Sequence, residues 1–173
     1  MRFLLSLLLV AFSVPAFAAA PCPRCKQATK QAATVQVQVV AVVQTPAEGL
    51  IQAGRRYPGA RVCESQQHPA LMAAAQRHAE YQARVRRLGH QGFGNRVAEL
   101  QGTAGAGSYA EICAQSWVWQ AKETSFKLGW EMFWCWQRSP GHWSVASRKH
   151  HLFGAGMAKG ADNIWYSCII VKE

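Results

Sequence analysis

The most regular pattern of apolar and polar positions lies between Pro69 and Leu88. Apolar or weakly polar residues recur there every three or four positions, with charged and amide residues between them: Leu71, Ala75, His78, Gln82, Val85 and Leu88. This spacing forms one buried stripe along a helix. Pro69 suits the first turn, and Gly89 is a typical residue after a helix end. We therefore predict a helix over Pro69–Leu88, with His78 as a packed core histidine.

Two further helical segments follow from the same pattern. A short one is predicted at about Asn95–Leu100 and a longer, aromatic-rich one at Ala121–Trp136. Aromatic residues at helical spacing more often form a core than a binding face. We therefore expect the second helix to pack inside the domain.

Three segments have the character of strands. Leu152–Lys159 and Ile164–Val171 alternate with period two and are joined by a turn at Gly160–Asn163, which predicts a hairpin. Tyr109–Cys113 is short and apolar, with Glu111 as its single charge. A buried carboxylate needs a cation, a metal ion or several N–H donors. Helices around such a sheet predict the α/β class, as a three-layer α-β-α sandwich with a small antiparallel sheet.

The segment Ser139-Pro140-Gly141-His142 has the features of a helix start. Serine is a preferred N-cap and proline fits the first helical position, which places His142 third in a helix running to about Lys149. The positive end of the helix dipole disfavours an imidazolium there. We expect His142 to be neutral near pH 7, either as a ligand for a metal or proton or as a residue that merely caps and packs.

The first third of the chain predicts export. Residues 1–20 combine Arg2, an apolar run and an Ala-Phe-Ala cleavage site, which is typical of a secretory signal peptide rather than of a membrane span. Residues 21–60 are expected to be a flexible segment and linker, with a strand conceivable from Thr34. The folded domain is placed at 61–173. We therefore expect a secreted, periplasmic or extracellular protein without a transmembrane segment after cleavage.

Charge and cysteine content fit that location. The chain carries 19 Lys and Arg against 9 Asp and Glu, a net charge of +10. For an exported protein, this favours anionic envelope polymers, phospholipid head groups or acidic glycans over nucleic acid, although a solvated basic surface is an equal alternative. An even number of cysteines predicts disulfides, with a local bond in the first pair. The cysteines are Cys22, Cys25, Cys63, Cys113, Cys135 and Cys168.

Several ordered motifs resemble one known family. From about Glu64 to Val171 the chain is similar to the CAP superfamily, the group of cysteine-rich secretory, antigen 5 and pathogenesis-related proteins (also called SCP-like), in its bacterial form. The segments that carry the resemblance are His68–Ala83, Gly89-His90, Tyr109–Glu111, Cys135–His142, Phe153–Met157 and Trp165–Ile170.

The resemblance implies a cavity formed by distant parts of the chain. In the family, two histidines and two glutamates line a cavity that can hold a divalent metal. By motif, His90, Glu111 and His142 correspond to three of them, and Ser139 stands where animal members have the second glutamate. The implied ligands for zinc or another divalent cation are then His90, His142 and Glu111 with water, which predicts weak binding.

A disulfide pairing is predicted on the condition that this cavity forms. Cys113 lies two residues after Glu111, and Cys135 lies seven before His142. If both flank the cavity, they pair with each other, which leaves Cys63–Cys168 as the complementary bond.

Three function classes remain open at this stage. The favoured one is an exported, non-catalytic binding module for a lipid, glycan or protein. The second is a zinc-dependent hydrolase or protease in which Glu111 is the general base. The third is a purely structural, disulfide-rich domain. The sequence has no His-Glu-x-x-His and no Gly-x-Ser-x-Gly motif, which favours the binding module.

Overall fold

The computed structural model describes residues 45–173. The leader, the Thr34 segment, Cys22 and Cys25 lie outside this range. Two short 3-10 turns, Val62–Glu64 and Val118–Gln120, accompany the regular elements. In chain order these are α1 (Pro46–Arg56), β1 (Gln66–Gln67), α2 (Pro69–Val85), α3 (Phe93–Thr103), β2 (Tyr109–Gln115), α4 (Ser125–Gln137), α5 (Pro140–Ala146), β3 (Leu152–Lys159) and β4 (Trp165–Lys172).

The four strands form one sheet in the order β1-β3-β4-β2. β3 and β4 form the predicted hairpin, and β2 runs antiparallel to β4 at one edge. The two-residue β1 pairs parallel to β3, so the sheet is mixed rather than purely antiparallel. This difference arises because β1 enters the sheet from the 3-10 turn that precedes it, and not through a hairpin.

Helices cover both faces of the sheet, which confirms the α/β sandwich. α2 packs so closely on one face that a Cβ on Gly154 would overlap the backbone of Leu71 and Met72. On the other face, α1 and α4 enclose a core that includes Leu50, Phe133 and Ile169. Strand residues alternate between the two cores, as period two requires.

The prediction of a linker up to residue 60 is wrong at Pro46–Arg56, because these residues form α1. Thr45 and Glu48 make a reciprocal capping box, and Pro46 occupies the first turn. The glycines that suggested a linker are helix contact points, since a Cβ on Gly49 would meet Ser125 of α4, and one on Gly54 would meet Phe133 and Cys63. The folded domain therefore begins before residue 61.

The other predicted elements are present with shifted ends. α2 ends at Val85 because Arg86 takes the left-handed conformation, with φ of 54°, before Gly89 is reached. α5 starts at Pro140 as predicted but ends at Ala146, three residues early. No helix within residues 45–173 is both long and apolar enough to span a bilayer.

Candidate functional site

The side chain of Glu111 is 1% exposed and faces the α2 side of the sheet. Arg96 of α3 satisfies its charge: Nε donates to Oε2 at 2.9 Å, and Nη2 donates to Oε1 at 2.8 Å. The same guanidinium donates through Nη1 to the carbonyl of Gln91, which fixes the loop before α3. Arg96 is therefore the cation that the burial of Glu111 requires.

His90 is the second partner of the carboxylate. It lies in the loop between α2 and α3, and its Nδ1 is 2.9 Å from Glu111 Oε1 and 3.9 Å from Cys113 Sγ. The Cys113 sulfur and then the Glu111 carboxylate raise the pKa of His90 to about 9, against the effect of burial. His90 is therefore cationic at neutral pH.

His78 belongs to this cluster rather than to the apolar core alone. Its Nε2 donates to the carbonyl of Gly89 at 2.8 Å and lies 3.6 Å from Glu111 Oε1. Burial lowers the pKa of His78, contacts with Cys113, Gly89 and Glu111 raise it, and the net shift is upward. Its Nδ1 is buried with no hydrogen-bond partner in the described part of the chain. The predicted core histidine thus supports the site.

Cys113 completes the cluster on the same strand face as Glu111. Gln82 Nε2 donates to its sulfur at 3.7 Å, while Gln82 Oε1 accepts the N–H of Gly89. Contact with the Cys168 thiol, and then with His78 and His90, lowers the pKa of Cys113. The cluster therefore places the Glu111 carboxylate and the Cys113 sulfur close to the cations Arg96 and His90.

His142 of α5 lies beside His90 at the margin of this cluster. Its ring centroid is 6.2 Å from that of His90, and its Nδ1 is 2.9 Å from Ser139 Oγ. The Ser139 side chain makes no N-cap bond to the described helix α5, because its oxygen faces the imidazole instead. Burial, and then the nearby charge of His90, lower the pKa of His142. His142 is neutral near pH 7, but burial is the main cause rather than the helix dipole.

A pocket of about 440 Å³ opens beside His142 at the edge of β2. Trp117 forms part of its rim, with 60% of the residue exposed, and the next two residues, Val118 and Trp119, are also exposed. Most lining residues are apolar, and polar side chains occur at only a few positions. The lining consists of Leu88, Cys113, Ala114, Gln115, Trp117, Cys135, Trp136, Ser139 and His142.

The donor set does not fit the expected metal site. Both oxygens of Glu111 are engaged by Arg96, and Oε1 also contacts His90. A second grouping, His78, Glu111 and Cys113, places its donor atoms within 4.8 Å of one another. It shares the same engaged carboxylate, and His78 Nε2 is bonded to Gly89. A metal ion would have to displace a bidentate guanidinium, so zinc binding stays a prediction.

The structure contradicts the predicted Cys63–Cys168 bond, whereas the Cys113–Cys135 bond stays a prediction. Cys63 packs against the α1–α4 core, whereas Cys168 lies in the core beneath α2, on the other face of the sheet. Cys168 is the direct cross-strand partner of Cys113. Cys135 lines the pocket from α4. These four cysteines are free thiols in the structure.

The structure brings the four predicted cavity residues together in a row: Glu111 contacts His90, the His90 ring lies beside that of His142, and His142 contacts Ser139. Of the four, Ser139 and His142 line the pocket. Arg96 was missed, although the demand of Glu111 for a cation was a signal for such a residue. His78 was assigned to the core, and Gln82 carried no chemical signal in the helical pattern.

Comparison with known proteins adds little to this geometry. No model of a protein family matches the chain, and no curated protein sequence matches it. A solved structure, that of an outer surface protein from Borrelia burgdorferi, is similar with a TM-score of 0.49 and 17% sequence identity. The match covers 63% of this chain and 77% of that one.

Proposed function

We propose that the protein is an exported, CAP-like binding module whose pocket beside His142 takes the apolar part of an acidic amphiphile such as a lipid. The observation that carries the proposal is the pocket itself. Ligand sites are typically concave and mostly apolar, with a few polar groups that orient the ligand. Ser139 and His142 are such groups within a lining that is otherwise largely apolar.

An exposed apolar segment that begins with Trp117 at the pocket supports an apolar ligand. Trp119 is 73% exposed, and Trp117, Val118 and Leu88 are also exposed. Contiguous exposed apolar residues are uncommon on soluble monomers unless they form an interaction surface. Tryptophan combines a large apolar ring with one N–H donor, which suits the boundary between an acyl chain and its polar head.

Charge supports an acidic head group. The net charge of +10 raises the local concentration of anions around the protein. Near the pocket, Arg138 follows directly on α4 and stacks on Trp134, with its guanidinium carbon 3.8 Å from the ring centroid. Arg138 directly precedes the pocket residue Ser139 in the chain, and its charge favours an anionic head over a neutral one.

The hydrolase alternative receives less support from the same residues. A general base needs a free oxygen within reach of water or substrate. Glu111 has no free oxygen, because Arg96 and His90 occupy its carboxylate, and its side chain is buried. The purely structural alternative leaves the exposed aromatic residues at the pocket without a role.

Titration with a fluorescent fatty acid tests the proposal. Leu88→Asp places a charge in the pocket and should weaken binding at least about tenfold, equal to about 1.4 kcal/mol. Val85→Asp is the matched control: Val85 is similarly exposed, at 43% against 39% for Leu88, but it does not line the pocket. A fatty alcohol of the same length should bind more weakly than the acid. Equal affinity of both variants would contradict the proposal.

A further inference from the structure

Cys113 and Cys168 stand directly opposite each other on β2 and β4. Both residues lie in the core cluster beneath α2, so both side chains point to the same face of the sheet. Cys113 is 4% exposed and Cys168 is fully buried. Directly opposite residues on one face of a sheet have their Cβ atoms closer together than diagonal neighbours do, so the two thiols are adjacent.

The hydrogen-bond pattern of the sheet identifies the type of this pair. Ser116 N–H donates to Trp165 at one end of the β2–β4 ladder, and Glu173 N–H donates to Ser108 at the other. Paired residues therefore exchange bonds at even positions of β2. Cys113 occupies an odd-numbered position, so it forms a non-hydrogen-bonded pair with Cys168. Its carbonyl points away from β4 and accepts a hydrogen bond from Trp136 Nε1–H at 3.0 Å.

A non-hydrogen-bonded antiparallel pair has its Cα atoms about 4.5 Å apart. Disulfides bridge Cα atoms separated by about 4.4–6.8 Å. The Cys113–Cys168 pair is therefore within bonding range without movement of either strand. Cys63 on the opposite face and Cys135 on α4 do not share this register.

We propose that Cys113 and Cys168 form a dithiol site that closes into a cross-strand disulfide by exchange with a disulfide-bearing co-reactant. Cys113 is the entry thiol because it lines the 440 Å³ pocket, whereas Cys168 is fully buried. Gln82 Nε2 and His90 Nδ1 lie 3.7 and 3.9 Å from Cys113 Sγ, where N–H donors stabilise a thiolate.

The exchange balances in two steps. The Cys113 thiolate attacks one sulfur of the co-reactant, so a bond to Cys113 forms, the co-reactant's S–S bond breaks, and one thiolate leaves and takes a proton. The Cys168 thiol then loses its proton and attacks Cys113 Sγ, which releases the second half of the co-reactant as a thiol. Two protein thiols are oxidised, and one disulfide is reduced to two thiols.

Closing this bond would fix the edge strand that carries both Glu111 and Cys113. β2 has β4 as its strand partner in the described sheet, and its other edge faces the pocket. A covalent link within the β2–β4 ladder prevents β2 from separating from β4, whether or not a ligand occupies the pocket. The proposal of a dithiol site therefore does not depend on which ligand binds in the pocket.

The test uses the reduced full-length chain and bis(2-hydroxyethyl) disulfide, a co-reactant small enough for the pocket. After exchange, remaining thiols are alkylated and the protein is digested without reductant. Mass spectrometry should find the Cys113 and Cys168 peptides joined, and this bond should persist in Cys135→Ala and Cys63→Ala. A variant in which Cys22 and Cys25 are both alanine should also form it.

Single variants test the order of events. Cys168→Ala should stop at a stable mixed disulfide on Cys113, whereas Cys113→Ala should leave Cys168 unmodified. Near-ultraviolet circular dichroism verifies that each variant is folded. A dominant Cys113–Cys135 bond, alkylation of Cys113 and Cys168 in the treated wild-type chain, or an adduct on Cys168 in Cys113→Ala would each overturn the proposal.

Discussion

Replacing Arg96 by methionine should lower the free energy of unfolding more than the same substitution at an exposed arginine does. Methionine keeps much of the side-chain volume but removes both charged hydrogen bonds to Glu111. The carboxylate side chain, 1% exposed, then has His90 as its remaining cationic partner. Removing one partner of a buried ion pair typically costs about 3–5 kcal/mol because the other charge stays desolvated.

The structure favours the lower end of that range, about 3 kcal/mol. The Arg96 side chain is 14% exposed, so water partly replaces it, and His90 still neutralises part of the charge. Urea unfolding measures the effect as a fall in the transition midpoint at unchanged slope. Arg77→Met is the matched control, since Arg77 pairs with Glu99 and both side chains are about half exposed, at 54% and 53%. Its cost should stay below about 1 kcal/mol.

A double variant separates a lost ion pair from lost packing. Arg96→Met/Glu111→Gln removes the buried charge together with its partner, so it should be more stable than Arg96→Met alone by about 1 kcal/mol or more. If the double variant is as unstable as the sum of the two single variants, the two side chains are not coupled. The same conclusion follows if Arg96→Met costs no more than Arg77→Met.

Three further predictions follow from the same structure. Gly154→Ala should cost about 1–3 kcal/mol in urea unfolding because its Cβ would overlap the α2 backbone, whereas Gly141→Ala, with no described atom within 4 Å of its Cβ, should be nearly neutral. NMR of the reduced protein should find the pKa of His90 near 9, and Cys113→Ala should lower that pKa. Because the pKa is raised on folding, the protonated His90 stabilises the folded state fully below about pH 6.5, and this stabilisation is lost as the pH rises through about 9. Titration calorimetry should find zinc binding no tighter than micromolar, because Arg96 occupies both oxygens of Glu111. Binding should fade as the pH falls through about 9, where His90 becomes protonated, and His90→Ala or His142→Ala should abolish it.

Local patterns were sufficient for most of the fold. α2 and the β3–β4 hairpin were predicted because their periodicity and turn residues are contained in the segments themselves. α1 was missed because Gly49 and Gly54 are also typical of linkers. Their actual role, close contact with α4, depends on a helix far later in the chain and cannot be inferred from local composition.

The candidate site was predictable where a motif existed. His90, Glu111 and His142 were found through ordered motifs, and the need of Glu111 for a cation followed from its apolar neighbours. The identity of that cation did not follow, because Arg96 is one of many arginines, and only the packing of α3 against β2 brings it to the carboxylate. The Cys63–Cys168 pairing was wrong for a related reason: chain spacing does not report strand register, which places Cys168 opposite Cys113 and away from Cys63.

Arg96 also changes how the cavity is to be understood. Zinc at Glu111 would gain a carboxylate ligand only by leaving a largely buried guanidinium without its partner, so the cost of the displaced arginine offsets the gain from coordination. Hydrolysis through Glu111 meets the same obstacle, because Arg96 and His90 already occupy the oxygens that a general base would offer to water. The groups that remain available are those that line the pocket: the neutral His142, the Ser139 hydroxyl and the exposed ring of Trp117. The ion-paired cluster thus supports the β2 edge, and the proposed binding role falls to the residues that line the pocket.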